Sequence, residues 1–229
     1  MKIAVCSKYN KGRIIRILDR KGFGVVKENP DLVISYGGDG TILYAENKYP
    51  CVPKLVIKIN SRKLREYEYD LREFENKLEK IKKQEYSLVE EMKVKAEYKG
   101  KILDALNEIQ IRNRLPTRAI RFSLEAGNKV FDKLSGDGVI IATPFGSTGY
   151  YNSVGGKAFE KGLGLAFNNL HLRNISSKVL PEGIKIKVRI SRGDALLIKD
   201  NDENFIKLSE GAKVSVEKSN NKARFIKTN

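Results

Sequence analysis

The chain has 229 residues, 44 of them Lys or Arg against 28 Asp or Glu, for a formal charge of +16. That length suits one large or two modest domains, each with a real hydrophobic core. No run of about 18 apolar residues occurs and the start MKIAVCSKYNKG lacks a signal peptide's apolar centre, so the expectation is a cytoplasmic chain without a membrane partner.

The excess charge is spread along the chain. Residues 1–61 carry +6, 62–101 carry +2, 102–160 carry +1 and 161–229 carry +7. A diffuse excess suits a small polyanionic ligand as well as it suits nucleic acid. No aromatic–basic module pattern is present, so nucleic acid is not an expected partner. Two cysteines, Cys6 and Cys51, and one histidine, His171, make neither a zinc site nor a disulfide framework. No metal ligands are assigned.

In chain order, Lys2–Cys6 is a short apolar strand, and Ile14, Ile15, Ile17 and Leu18 place a helix over Arg13–Lys21. Asp31–Tyr36 is a second strand that runs into Gly37-Gly38-Asp39-Gly40-Thr41, with Ile42–Glu46 opening a helix behind it. Lys54–Ile59 is a third strand. This alternation describes an α/β domain with a Rossmann-like parallel sheet, over residues 1–88. Leu71, Phe74, Leu78 and Ile81 predict an amphipathic helix within 62–85, its charged face solvated.

From about Leu88 the period shortens to two. Met92–Tyr98, Ile102–Ile111, Ala119–Leu124, Gly138–Ala142, Ile184–Ile190, Ala195–Lys199, Lys213–Glu217 and Ala223–Ile226 read as strands. The second domain, 89–229, is therefore mostly β and of β-sandwich type.

Three segments carry chemistry. The GGDGT loop sits at the carboxyl end of a strand, where open α/β sheets bind ligands. Its glycines let amides approach a phosphate chain, and Asp39 can take a proton from an attacking hydroxyl or simply cap the next helix. In Asp104–Ile111 (DALNEIQI), Asn107 and Glu108 are adjacent polar residues in an apolar strand, so one of them points inward. Burying it unpartnered costs about 1–3 kcal/mol, which a ligand hydroxyl or exposure at a strand end would relieve. The third segment, Gly136–Gly156 (GDGVIIATPFGSTGYYNSVGG), takes Asp137 into a strand and ends in a loop of amides, hydroxyls and tyrosines. It reads as a nucleotide loop or as a glycine-rich turn with packed tyrosines.

Together, GGDGT, ALNE and GDGVIIATPFGSTGYYNSVGG resemble the NAD kinase family, in family order and over most of the chain. The resemblance implies phosphate transfer from ATP or polyphosphate to the 2′-hydroxyl of the adenosine ribose of NAD. It implies a divalent metal, Mg2+, and a homodimer or homotetramer. Asp39 falls on the family's base, and Gly37, Gly38, Gly40 and Thr41 on its phosphate loop, with Asp39 and Gly40 also touching NAD. Asn107 and Glu108 fall on the pair holding ribose and base, and Asp137 on the carboxylate at the nicotinamide side. Thr148, Gly149, Tyr150, Tyr151, Asn152 and Ser153 fall on the loop closing over the dinucleotide. The chain departs from the family at Ser61–Arg65 after Asn60, and at Phe145, Gly149, Ser176 and Asp200-Asn201. The altered turn motivates an alternative reading, a nucleotide-binding regulatory module without turnover.

Overall fold

In this computed structural model, which describes residues 1–59, 63–171 and 175–228, a parallel sheet forms first. Its strands are β1 (Lys2–Cys6), β2 (Gly24–Val25), β3 (Leu32–Gly37), β4 (Lys54–Lys58) and β5 (Glu68–Asp70), and its helices are α1 (Gly12–Arg20), α2 (Asp39–Lys48) and α3 (Phe74–Lys82). The order is β2-β1-β3-β4, all parallel, with β5 parallel to the far edge of β4. Every residue of β3 and β4 is buried, the continuous apolar run expected of central parallel strands. Helix α1 buries Ile14, Ile17 and Leu18, and α3 buries Phe74, Leu78 and Ile81, at helical spacing.

The helix expected over 62–85 covers only Phe74–Lys82. Ahead of it, Tyr67 and Tyr69 are pulled into the core: Tyr67 stacks on Phe225 at 4.6 Å and the Tyr69 hydroxyl accepts from the Thr228 amide at 2.8 Å. Burial of two rings and pairing of β5 with β4 outweigh a local helical pattern.

The remaining strands are β6 (Ser87–Tyr98), β7 (Lys101–Ala105), β8 (Glu108–Asn113), β9 (Ile120–Ala126), β10 (Lys129–Gly136), β11 (Gly138–Ala142), β12 (Leu163–Asn168), β13 (Lys178–Leu180), β14 (Ile186–Arg192), β15 (Ala195–Lys199), β16 (Ile206–Leu208) and β17 (Lys213–Lys227), with a 3-10 turn at Phe145–Thr148 and one turn of helix, α4 (Tyr150–Ser153). The chain divides into two compact units, Met1–Glu91 with Lys222–Asn229, and Met92–Asn221. The closing stretch thus belongs with the first unit, where Phe225 pairs with Lys54 of β4.

The second unit is a sandwich. One layer runs β10-β9-β14-β17, with β6 and β7 beyond β17; the other is the antiparallel sheet β13-β12-β11-β8-β15-β16. Ile109, Ile111, Val139 and Leu165 from one layer and Phe122, Leu124, Val188 and Val216 from the other share one core. The strand expected over Ile102–Ile111 is two, β7 and β8, broken at Leu106-Asn107. Strand β10 escaped the sequence because its alternation is interrupted by a bulge between Phe131 and Leu134, with Lys133 at φ 52°.

Candidate active site

In the first unit, β3 delivers the chain to Gly37 and α2 begins two residues later. A Cβ on Gly37 would collide with the Thr41 side chain, so a larger residue here would push Thr41 aside; at Gly38 the space is open. The amides of Asp39 and Gly40 head the helix, at the end of its dipole that favours anions. Asp39 does not cap the helix. Gly38 is the N-cap, no side chain among the described residues caps the first turn, and the Asp39 side chain is 57% exposed. Its Oδ1 accepts from the Lys58 ammonium, and among the described residues no partner is seen for Oδ2. Lys58 ends β4 with its side chain 1% exposed, facing Asp39 and, at 3.6 Å, Glu68.

In the second unit, the break between β7 and β8 is held by Asp200. Its Oδ2 accepts from the Leu106 amide at 3.0 Å, and its Oδ1 accepts from Asn107 at 2.6 Å and Glu108 at 3.2 Å. The Asp200 amide answers to the Glu108 carbonyl at 2.9 Å. Thr143 braces the same turn: its hydroxyl donates to the Leu106 carbonyl at 2.6 Å and its amide to the Asn107 carbonyl at 2.8 Å. A Cβ on Gly146 would lie 2.3 Å from that Asn107 carbonyl, so the 3-10 turn packs directly on it.

Glu108 is buried. Gln110 donates to its Oε1 at 3.2 Å, and among the described residues Oε2 has no protein partner. Burial, then the charge of Asp200, pushes the Glu108 carboxyl up to about 7. Burial also raises Asp200, to about 6, against the pull of its three amides and of Lys93. A carboxyl poised near neutrality with one open oxygen can donate to or accept from a ligand hydroxyl.

Beyond the 3-10 turn, Thr148, Asn152 and Ser153 are exposed, and Gly149 and Tyr150 are half-buried. The Tyr150 hydroxyl accepts from Asn168 at 3.0 Å. Tyr151 is buried edge-on against Phe159 at 5.5 Å, so its ring is part of the core. Tyr150 reaches towards Asn168, opposite Gly138, whereas Asn107, Glu108 and Thr148–Gly149 share one corner. Asp137 does not: it precedes β11, whose far end pairs Ala142 with Glu108. The span is roughly 17 Å, five residues at about 3.4 Å each. Its two oxygens accept from Asn113 at 3.2 Å and Asn169 at 2.8 Å. Asn60, Ser61 and Arg62 of the altered turn lie outside the described residues.

Residues 106–228, more than half of the chain, match the family model of the ATP-NAD kinase C-terminal domain. The chain belongs to the NAD kinase family. It is 33% identical over 212 residues to the NAD kinase of Methanosarcina barkeri, covering 88% of this chain and 74% of that one. It is 29% identical over 220 residues to that of Thermoplasma volcanium, covering 92% and 79%. Among solved structures, an NAD kinase from Archaeoglobus fulgidus in complex with ATP superposes with a TM-score of 0.81 at 27% identity, over 98% of this chain and 93% of that one. Yeast NADH kinase complexed with NADH shares the fold, with a TM-score of 0.87 at 14% identity and coverage of 100% and 84%.

Sequence reasoning passed over Lys58, Glu68 and Thr143, and noted Asp200 only as a departure. A lysine ending a fully buried strand, in Lys54–Lys58, was the available signal for the first.

Proposed function

We propose that this chain transfers a phosphoryl group from ATP, or from another phosphate donor such as polyphosphate, to the 2′-hydroxyl of the adenosine ribose of NAD, yielding NADP. Membership of the NAD kinase family supports the reaction, and the ATP held by the Archaeoglobus relative supports the donor. One observation carries the assignment of the base: the Asp39 carboxylate stands at the phosphate loop, uncommitted to capping and open to solvent through Oδ2.

Asp39 takes the proton of the 2′-hydroxyl as its oxygen bonds to the terminal phosphorus and the bond to the departing diphosphate breaks. Gly37, Gly38, Gly40 and Thr41 hold the donor's phosphates with their amides and hydroxyl. Asn107 and Glu108 orient the ribose and base, Thr148, Gly149, Tyr150, Asn152 and Ser153 close over the dinucleotide, and Tyr151 supports that loop from the core. Asp137, at the other end of β11, serves the nicotinamide side.

A divalent cation, Mg2+, neutralises phosphate charge when bound. Among the described residues no three metal-ligating side chains cluster. No described helix is long and apolar enough to cross a membrane. Work in the cytoplasm and assembly as a homodimer or homotetramer belong to the same proposal.

The test is a screen of ATP, other nucleoside triphosphates and polyphosphate against NAD and NADH, with calorimetry alongside. NADP or NADPH formation supports the reading. Tight nucleotide binding with every donor inert selects the regulatory module instead.

A further inference from the structure

Lys54 and Lys58 lie four residues apart on β4, so they project from one face, and both reach α2. The two pairs differ in one respect. Lys54 Nζ lies 2.5 Å from Glu46 Oε2 with both side chains buried, and also donates to the Tyr49 and Val52 carbonyls at 3.0 and 2.7 Å. That is a closed structural clamp. Lys58 is as deeply buried, yet its hydrogen-bond acceptor is the exposed Asp39.

Glu68, the other acid near Lys58, is already engaged. Its Oε2 accepts from the Leu64 amide at 2.7 Å and the Arg65 amide at 3.4 Å, and its Oε1 lies 3.0 Å from Arg65 Nη1. At 3.6 Å Lys58 feels its charge without a hydrogen bond. A buried ammonium, held in one place by packing, is thus aimed at one oxygen of one solvent-facing carboxylate. An unheld aspartate at a helix start would turn to bond the amides of the first turn.

We infer that Lys58 is a positioning residue: it fixes Asp39 by Oδ1 so that Oδ2 faces the ribose hydroxyl, with Glu68 and Arg65 keeping the ammonium in place. This rests on Asp39 being the base, and it adds what holds that base. A catalytic group displaced by about 1 Å loses on the order of a hundredfold in rate, so the holder is visible in kcat.

The experiment compares wild type, Lys58→Met, the double variant Lys58→Met/Glu68→Gln, and Lys54→Met/Glu46→Gln, reading thermal midpoint, kcat and KM for NAD. Lys54→Met/Glu46→Gln removes both members of a buried pair. Lys58→Met/Glu68→Gln neutralises the buried ammonium and the acid facing it, while the glutamine oxygen can still accept from the Leu64 and Arg65 amides. Lys58→Met/Glu68→Gln should melt near wild type and keep KM within about threefold, while kcat falls about tenfold to a hundredfold. Lys54→Met/Glu46→Gln should keep kcat. A Lys58→Met/Glu68→Gln enzyme with kcat within about twofold of wild type would make Lys58 a mere counter-charge and overturn the inference. If wild type forms no NADP, the proposed function fails, and Asp39 rotamer populations from NMR couplings decide the inference. A single rotamer in wild type that averages in the double variant upholds it; averaging already in wild type refutes it.

Discussion

The carboxylates at the two candidate sites, one in each unit, are held in opposite ways. In the first, Asp39, Glu46 and Glu68 each face a buried or half-buried cation: Lys58, Lys54 and Arg65. In the second, Glu108 and Asp200 are buried against each other and against amides, with the Lys93 charge a lesser influence, and both titrate upward. The first arrangement fixes the direction of a charged group; the second keeps a proton within reach of neutral pH. A phosphoryl-transfer base needs the former, and a pocket that must bond neutral ribose hydroxyls gains from the latter.

The sharpest way to break this contrast is to remove the fixed charge. Asp39→Asn should lower kcat by about 10²–10⁴, the usual worth of a positioned base, with KM for NAD nearly unchanged. Steady-state kinetics check this, and a rise in KM with kcat unchanged would mean that Asp39 only binds.

Next in size is Asp200→Ala, which strips three amides of their acceptor. It should destabilise the protein by about 3 kcal/mol and weaken NAD binding by loosening Leu106–Glu108. Urea unfolding and calorimetry with NAD measure the two effects. Unchanged NAD affinity in a destabilised variant would confine Asp200 to the fold.

Glu108→Gln should act in two directions. Because burial raises the carboxyl to about 7, the neutral form suits the fold. Its contribution is therefore full below the ordinary value of 4.5 and is lost as pH climbs through about 7. The glutamine variant should be more stable than wild type by about 3 kcal/mol at pH 8 and equal to it near pH 4, while binding NAD less well. Thermal melts across that range are the check; a stability gap that ignores pH would contradict the burial account.

The smallest effect concerns the charge of +16. Both proposed substrates are anionic, so raising salt from about 0.05 to 0.5 M should raise KM for NAD by about two- to threefold through screening. A KM indifferent to salt removes steering from the account.

Much of this was legible in the sequence because it is local. GGDGT follows an apolar strand directly, and the parallel-sheet alternation and two-residue period are read within short windows. What escaped is non-local. Asp200 lies 92 to 94 residues beyond the amides it holds, and the reach from Lys58 to Asp39 spans 19 residues and a helix. The unbroken strand expected over Ile102–Ile111 failed for that reason: Asp200 and Thr143, both distant in sequence, hold the chain open at Leu106-Asn107. The separation of Asp137 from Asn107 and Glu108 was equally hidden, since only the antiparallel register of β8 and β11 sets it.

The most direct measurement follows the label from γ-³²P-ATP into product with wild type and with Asp39→Asn. The account predicts label at the 2′-phosphate of NADP with wild type, and transfer at least about a hundredfold slower in the variant. Label found elsewhere on the dinucleotide, or equal transfer by both proteins, would contradict it.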